Sequence, residues 1–429
     1  MHDLNTTQLK DLNDLTHSYL KNWLGLPRCA SWALVHDEHG LNIKSISHLY
    51  MESRALSLAN IRFFGDKRVQ GALDSKEERE GKWCQKFSPA TFVKGLINEV
   101  VPPVAVDENR VSGQVEGLDD SLSGLPSNDG AVAPAVAPVR PSDSLTRKKL
   151  KGLIQSGVQD WVSDFWKEKI GHYVMQGDYM ALIMEEGNCI TWKSFLWDVP
   201  QGVLKFAINA GINTLPTLDN LKRWGKRVND RCPFCGNIQT LLHVLSNCSV
   251  ALDQGRYTWR HNSVLSSIID VIRPRLKAGF VLFSDLPGLQ APHGGTIPPH
   301  VHVTALRPDL VVINESTRDV VIFELTCPWD GNIDRSHSFK EDKYAPLVAD
   351  MSRGFNVHLF SVEVSVRGQL SKANRSRLKA FAYRCCEDPK TVTKLTLGNS
   401  SRASLLCSYS IFMARKEPVW ASPNSLVVR

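Results

Sequence analysis

No run of about 18 apolar residues occurs anywhere in the 429-residue chain, which excludes a helical membrane span. The opening residues, MHDLNTTQLKDLND, lack the basic and apolar stretches of a secretory signal, so no leader is expected. Net charge is small, 51 Lys+Arg against 44 Asp+Glu for +7, and by itself points to no partner. Ten cysteines without a secretory context do not make a disulfide framework. Cys29, Cys84, Cys189, Cys327 and Cys407 stand alone and Cys385 and Cys386 are adjacent, while the other three gather with one histidine. What is present suits a water-soluble chain of two or three domains, at 42% hydrophobic residues and a mean hydropathy of −0.20. Eleven Trp and sixteen Phe suffice to fill real cores.

The first hundred residues read as helical. Leu9, Leu12, Leu15, Tyr19 and Trp23 form a one-sided stripe that predicts a packing face, ending near Gly25-Leu26-Pro27. Residues 101–144 have no aromatic residue and are rich in Pro, Gly, Ser and Ala, which predicts a disordered linker. The Asp119-Asp120 pair inside it has no strand around it and is not a polymerase site. Helical patterns resume over 145–231, with Trp161, Phe165, Trp166 and Ile170 as a buried face and Thr217 or Asp219 as a cap. Residues 249–300 read as a helical connector and loop. From about 300 the period turns strand-like: LRPDLVVIN and DVVIFELT form a hairpin, followed by a helix near 335–352, the strand FNVHLFSVEVSV and a last helix near 370–386. Charge follows the same division. The linker holds seven acids and two Arg, whereas 361–429 hold twelve Lys+Arg and four acids, as a phosphate-facing end would.

Cys232-Pro233-Phe234-Cys235 is a C-x2-C knuckle with His243 and Cys248 behind it. Two thiolates at that spacing grip a tetrahedral ion from one turn, and four protein ligands close the site. A redox C-x-x-C would not require His243 and Cys248, so structural zinc is the expectation over 232–248. Asp309, after Arg307-Pro308, and Glu324 stand at facing ends of the hairpin, where both carboxylates can converge on Mg²⁺. Nucleases of the PD-(D/E)XK type place a lysine two residues after the second acid; here that position is Thr326. Lys340 and Lys343 share a face of the next helix and either can supply the ammonium, with Asp330 as a third acid nearby. The plainer alternative is an ordinary hairpin with Glu324 in an ion pair.

These passages in this order resemble the C-terminal part of polyproteins from site-specific non-LTR retrotransposons that carry a restriction-like endonuclease. LPTLDNLKRWGK, CPFCGNIQTLLHVLSNC, GRYTWRHNSVL and RPDLVVINESTRDVVIFELTCPWD with FKEDKY carry the resemblance, and LKNWLGLP with HGLNIKSIS is similar to the thumb after the polymerase palm. The resemblance implies a multi-domain α plus α/β protein. Its parts are a thumb-like region (1–100), the linker, a helical region, the CCHC knuckle and a PD-(D/E)XK-type nuclease core over 301–429. It further implies that Cys232, Cys235, His243 and Cys248 bind structural zinc. Asp309 and Glu324 would bind catalytic Mg²⁺, Lys340 or Lys343 would be the displaced lysine, and Arg307 and Tyr344 would be accessory. The implied partners are target DNA and the element's RNA, the implied location is nuclear, and the implied act is a nick that primes reverse transcription. No strand-flanked Asp-Asp pair occurs, so no polymerase palm is expected here, which under the resemblance implies a truncated element, a gene-model fragment or a domesticated remnant. The alternative is an inactive zinc-knuckle protein that binds nucleic acid.

Overall fold

The computed structural model describes residues 4, 6–27, 30–64, 67–69, 71, 146–173, 178–186, 198–292 and 294–423. The expected linker, Cys29, Cys84, Cys189 and the Asp119-Asp120 pair lie outside them. The chain divides into two compact units, one of Met1–Asn13 with Lys44–Asp164 and one of Asp14–Ile43 with Phe165–Arg429. Among the described residues no helix is long and apolar enough to cross a membrane.

Helices α1 (Thr6–Leu24), α2 (Ala33–His36), α3 (Ile46–Phe64) and α4 (Arg147–Gly171) open the chain. In the first unit Met51, Ala55 and Leu58 of α3 are buried, as are Leu150, Ile154 and Val158 of α4. Each set recurs every three to four residues, so each helix keeps one apolar face from water. Gln155 Nε2 donates to Glu52 Oε1 at 2.5 Å. The stripe expected to pack on α1 does not: Leu12, Leu15, Tyr19 and Trp23 are all exposed. Apolar spacing determines that α1 is a helix, but what covers its face depends on neighbours the spacing does not encode. Phe165 is likewise exposed.

The second unit continues with α5 (Asp178–Glu186), α6 (Gln201–Gly211), α7 (Leu218–Arg223), α8 (Ser249–Asp253) and α9 (Arg256–Ile272). Of the two capping candidates Thr217 is used, its Oγ1 accepting from Asn220 N–H at 3.2 Å. Strands β1 (Val281–Ser284), β2 (Leu310–Asn314), β3 (Asp319–Thr326) and β4 (Asn356–Glu363) form one sheet in that order. The first three are antiparallel, and β4 runs parallel to β3 after the crossover helix α10 (Ile333–Met351). The chain closes with α11 (Lys372–Cys385) and α12 (Pro389–Met413).

Side chains alternate across the sheet and both faces are covered. Leu310, Val312, Val321, Phe323 and Val362 pack with Val264 and Ile268 of α9 and Phe381 of α11. On the other face Val311, Ile313, Val320 and Ile322 meet Tyr344, Leu347 and Met351 of α10. That double burial is why β2 and β3 read as continuous apolar runs.

Two elements depart from the sequence reading. Strand β1 lies inside the stretch expected to be helix and loop, because its four residues are too few to display a period. Helix α12 lies beyond the expected last helix, and its buried side mixes hydroxyls (Thr396, Ser400, Ser401, Ser404 and Ser408) with apolar residues. Ser401, Ser404 and Ser408 donate to the carbonyls of Gly368, Ser365 and Val366 at 2.6, 2.7 and 2.6 Å. They add donors to the backbone carbonyls of the loop after β4, where Ser365 O also accepts from Gly368 N–H at 2.8 Å.

Candidate functional site

The knuckle is built from a turn and an unusual helix. Cys232 N–H donates to Asn237 O at 2.7 Å and Gly236 N–H to Cys232 O at 3.0 Å. Gly236 has φ of 75°, a left-handed conformation that glycine adopts without strain, so Cys235 turns back towards Cys232. His243–Asn247 is a single π-helical turn, and Cys248 caps α8 in an extended conformation. Cys248 stands five positions after His243, the i to i+5 interval that a π turn closes.

The four side chains meet. Their ligating atoms all lie within 4.8 Å of one another, with Cys235 Sγ 3.3 Å from His243 Nε2 and 3.9 Å from Cys248 Sγ. Thiolates about 2.3 Å from a tetrahedral Zn²⁺ stand roughly 3.8 Å apart, so the donor set and its spacing fit zinc. Burial lowers the His243 pKa and keeps the imidazole neutral, as a metal ligand must be. With four protein donors the site is of the closed, structural kind.

The hairpin brings the two carboxylates together. Leu310 pairs with Phe323, which sets Asp309 opposite Glu324. Asp309 N–H donates to Glu324 Oε2 at 2.9 Å, and Leu325 N–H to Asp309 Oδ2 at 2.7 Å. Glu324 is 1% exposed. Burial, and then the charge of Asp309, raise its pKa. Asp309 is held below the ordinary carboxylate range: burial opposes ionisation but is outweighed by His261. Two facing acids are thereby pushed apart in acidity, as happens when like charges share a site.

The neighbouring groups divide by role. Lys340 Nζ donates to Glu324 Oε1 at 2.5 Å. Lys343 instead lies 3.1 Å from Tyr344 Oη and over the Tyr344 ring, with the Tyr344 hydroxyl between it and Glu324. Tyr344 is buried and donates to Arg307 O at 3.1 Å, bracing the segment before β2. The Arg307 guanidinium lies 3.8 Å from Asp285. Asp330 is engaged by Arg367 Nε at 2.6 Å, and that guanidinium sits between Tyr179 and Trp329.

One contact was not anticipated. His261 on α9 lies 3.2 Å from both Asp309 Oδ2 and Leu325 O. Burial works to lower its pKa, but the Asp309 carboxylate prevails and pushes it up to about 9. A lone histidine in a polar helical stretch has no spacing that marks it. The same helix reaches the knuckle: Tyr257 Oη accepts from Cys248 N–H at 3.1 Å, and Arg260 NH1 donates to Leu245 O at 2.9 Å.

Residues 173–254 match the family model described as zinc-binding in reverse transcriptase. No curated protein matches the chain. The matched span contains all four residues of the Cys₃His cluster. The match relates the chain to reverse-transcriptase-bearing, retrotransposon-type polyproteins with a zinc-binding region.

Proposed function

We propose that this chain is the endonuclease part of a non-LTR retrotransposon protein, nicking target DNA with Mg²⁺ so that the freed 3′ end primes reverse transcription. The observation that carries the reading is the facing of Asp309 and Glu324 across a buried hairpin, with Lys340 on Glu324. The order helix, three strands, helix, strand, running from α9 to β4, is consistent with a restriction-like core. Asp309 and Glu324 would hold the ion, whose oxygen-only donor set suits Mg²⁺. Bound there, it would polarise a phosphoryl oxygen and make water a better nucleophile. Lys340 supplies an ammonium beside the reacting phosphate, where charge grows as the phosphodiester is attacked. His261 anchors the Asp309 carboxylate from behind. The zinc knuckle serves as scaffold or nucleic-acid contact, and the place of action is the nucleus.

The test is relaxation of supercoiled plasmid in Mg²⁺ by the full chain and by Asp309→Asn. Loss of about 10²-fold or more in nicking by a folded variant is expected. Undiminished nicking by Asp309→Asn would overturn the assignment. The second reading, a zinc-knuckle protein that binds nucleic acid without cutting it, draws on the same contacts. Lys340 on Glu324 and His261 on Asp309 already satisfy both acids as structural ion pairs. Salt-sensitive binding without cleavage in Mg²⁺ or Mn²⁺ would favour it.

A further inference from the structure

Helix α11 sorts its cations by face. Arg377 and Arg384 serve acids of the sheet, 3.7 Å from Glu363 Oε2 and 3.5 Å from Asp319 Oδ1. Lys372, Arg375 and Lys379 stand at successive turns on another face. With Ser376 they line a groove of ≈ 340 Å³, completed by Thr393 and Leu397 of α12. No acid is among these lining residues. Lys390 and Lys394, both exposed, flank Thr393 in sequence and add to the positive field.

We propose that the α11–α12 groove binds the phosphodiester backbone of duplex DNA. It shares no residue with the carboxylate site and contributes affinity rather than chemistry. The inference rests on the proposed function only in taking DNA as the substrate. Three observations favour this occupant. At 1.5 Å rise per residue, Lys372 to Lys379 spans about 10 Å, the axial length of about three phosphates on one strand. The groove is open, and its wall offers three cations and the hydroxyls of Ser376 and Thr393 around Leu397, which suits a sequence-independent backbone contact. The wall also lies in the segment with the chain's basic excess, twelve Lys+Arg against four acids over 361–429.

The experiment is fluorescence anisotropy of a labelled duplex with the full, zinc-loaded chain, titrated at several salt concentrations. Each phosphate contact contributes about 0.9 to the slope of log K against log salt, so K372Q/R375Q/K379Q should lose about 2 to 3 from it. Affinity at low salt should fall at least about tenfold. Its nicking rate at saturating DNA should match the parent protein, and its thermal unfolding by circular dichroism should be unchanged. The charge-conserving variant K372R/R375K/K379R should bind like the parent. An unchanged slope in the neutral variant overturns the proposal, and so does equal loss in the charge-conserving one. A loss confined to single-stranded RNA of equal length also overturns it. Asp309→Asn separates the two readings: if it nicks normally the nuclease assignment fails, while the slope change still decides the groove.

Discussion

At the scale of single residues, Lys340 and Lys343 are the sharpest case. Both stand on the right helix with the right spacing, and sequence alone leaves them equivalent. The structure places Lys340 Nζ 2.5 Å from Glu324 and turns Lys343 to Tyr344. Three residues on a helix are about 300° apart, near enough to share a face yet far enough to address different neighbours. We expect Lys340→Ala to reduce plasmid nicking by about 10² to 10³ and Lys343→Ala by less than about tenfold. Equal losses would mean that the acid-bound lysine is not singled out. His261 was illegible for a related reason: its partner is 48 positions away and becomes adjacent only when α9 packs on the sheet.

Among the elements, α9 matters most, because it touches both candidate metal centres. Tyr257 and Arg260 bind the backbone at Cys248 and Leu245, and His261 binds Asp309. Arg260 is 2% exposed, so its contacts are made out of water, where their loss is costly. Removing zinc, by chelation or by Cys248→Ser, should therefore loosen more than the knuckle. We expect one zinc per chain in the parent protein by metal analysis. In its absence amide hydrogen exchange over the first turns of α9 should rise at least about tenfold. Exchange unaltered beyond residue 248 would confine zinc to a local role. The knuckle itself was readable because its four ligands lie within one short stretch. The serine stripe of α12 was not, since a hydrophobic period does not register hydroxyls.

For the whole molecule, the ion pair of His261 with Asp309 links stability to pH. The folded-state pKa of His261, about 9, lies above its ordinary value of about 6.5. A raised pKa stabilises fully below the unfolded value and is lost as pH rises through the folded one. Asp309, held low, stays ionised throughout that window. In Mg²⁺-free buffer, urea melts should show stability falling by about 3 kcal/mol between roughly pH 6 and pH 9.5. His261→Gln should flatten that fall, and a variant with the same pH dependence would exclude the pair as its source.

The amino-acid sequence by itself determined what neighbours within a turn or a hairpin can determine. The Cys₃His cluster spans one knuckle, and the facing of Asp309 and Glu324 follows from a four-residue connection between two strands. Only the tertiary structure decided the rest: which lysine meets Glu324, that His261 stands behind Asp309, that α1 leaves its stripe exposed, and that α11 turns three cations into one groove. These depend on which helix packs against which face. Apolar spacing establishes that a helix has a face to bury, whereas the identity of its partner emerges only from the packing of distant segments.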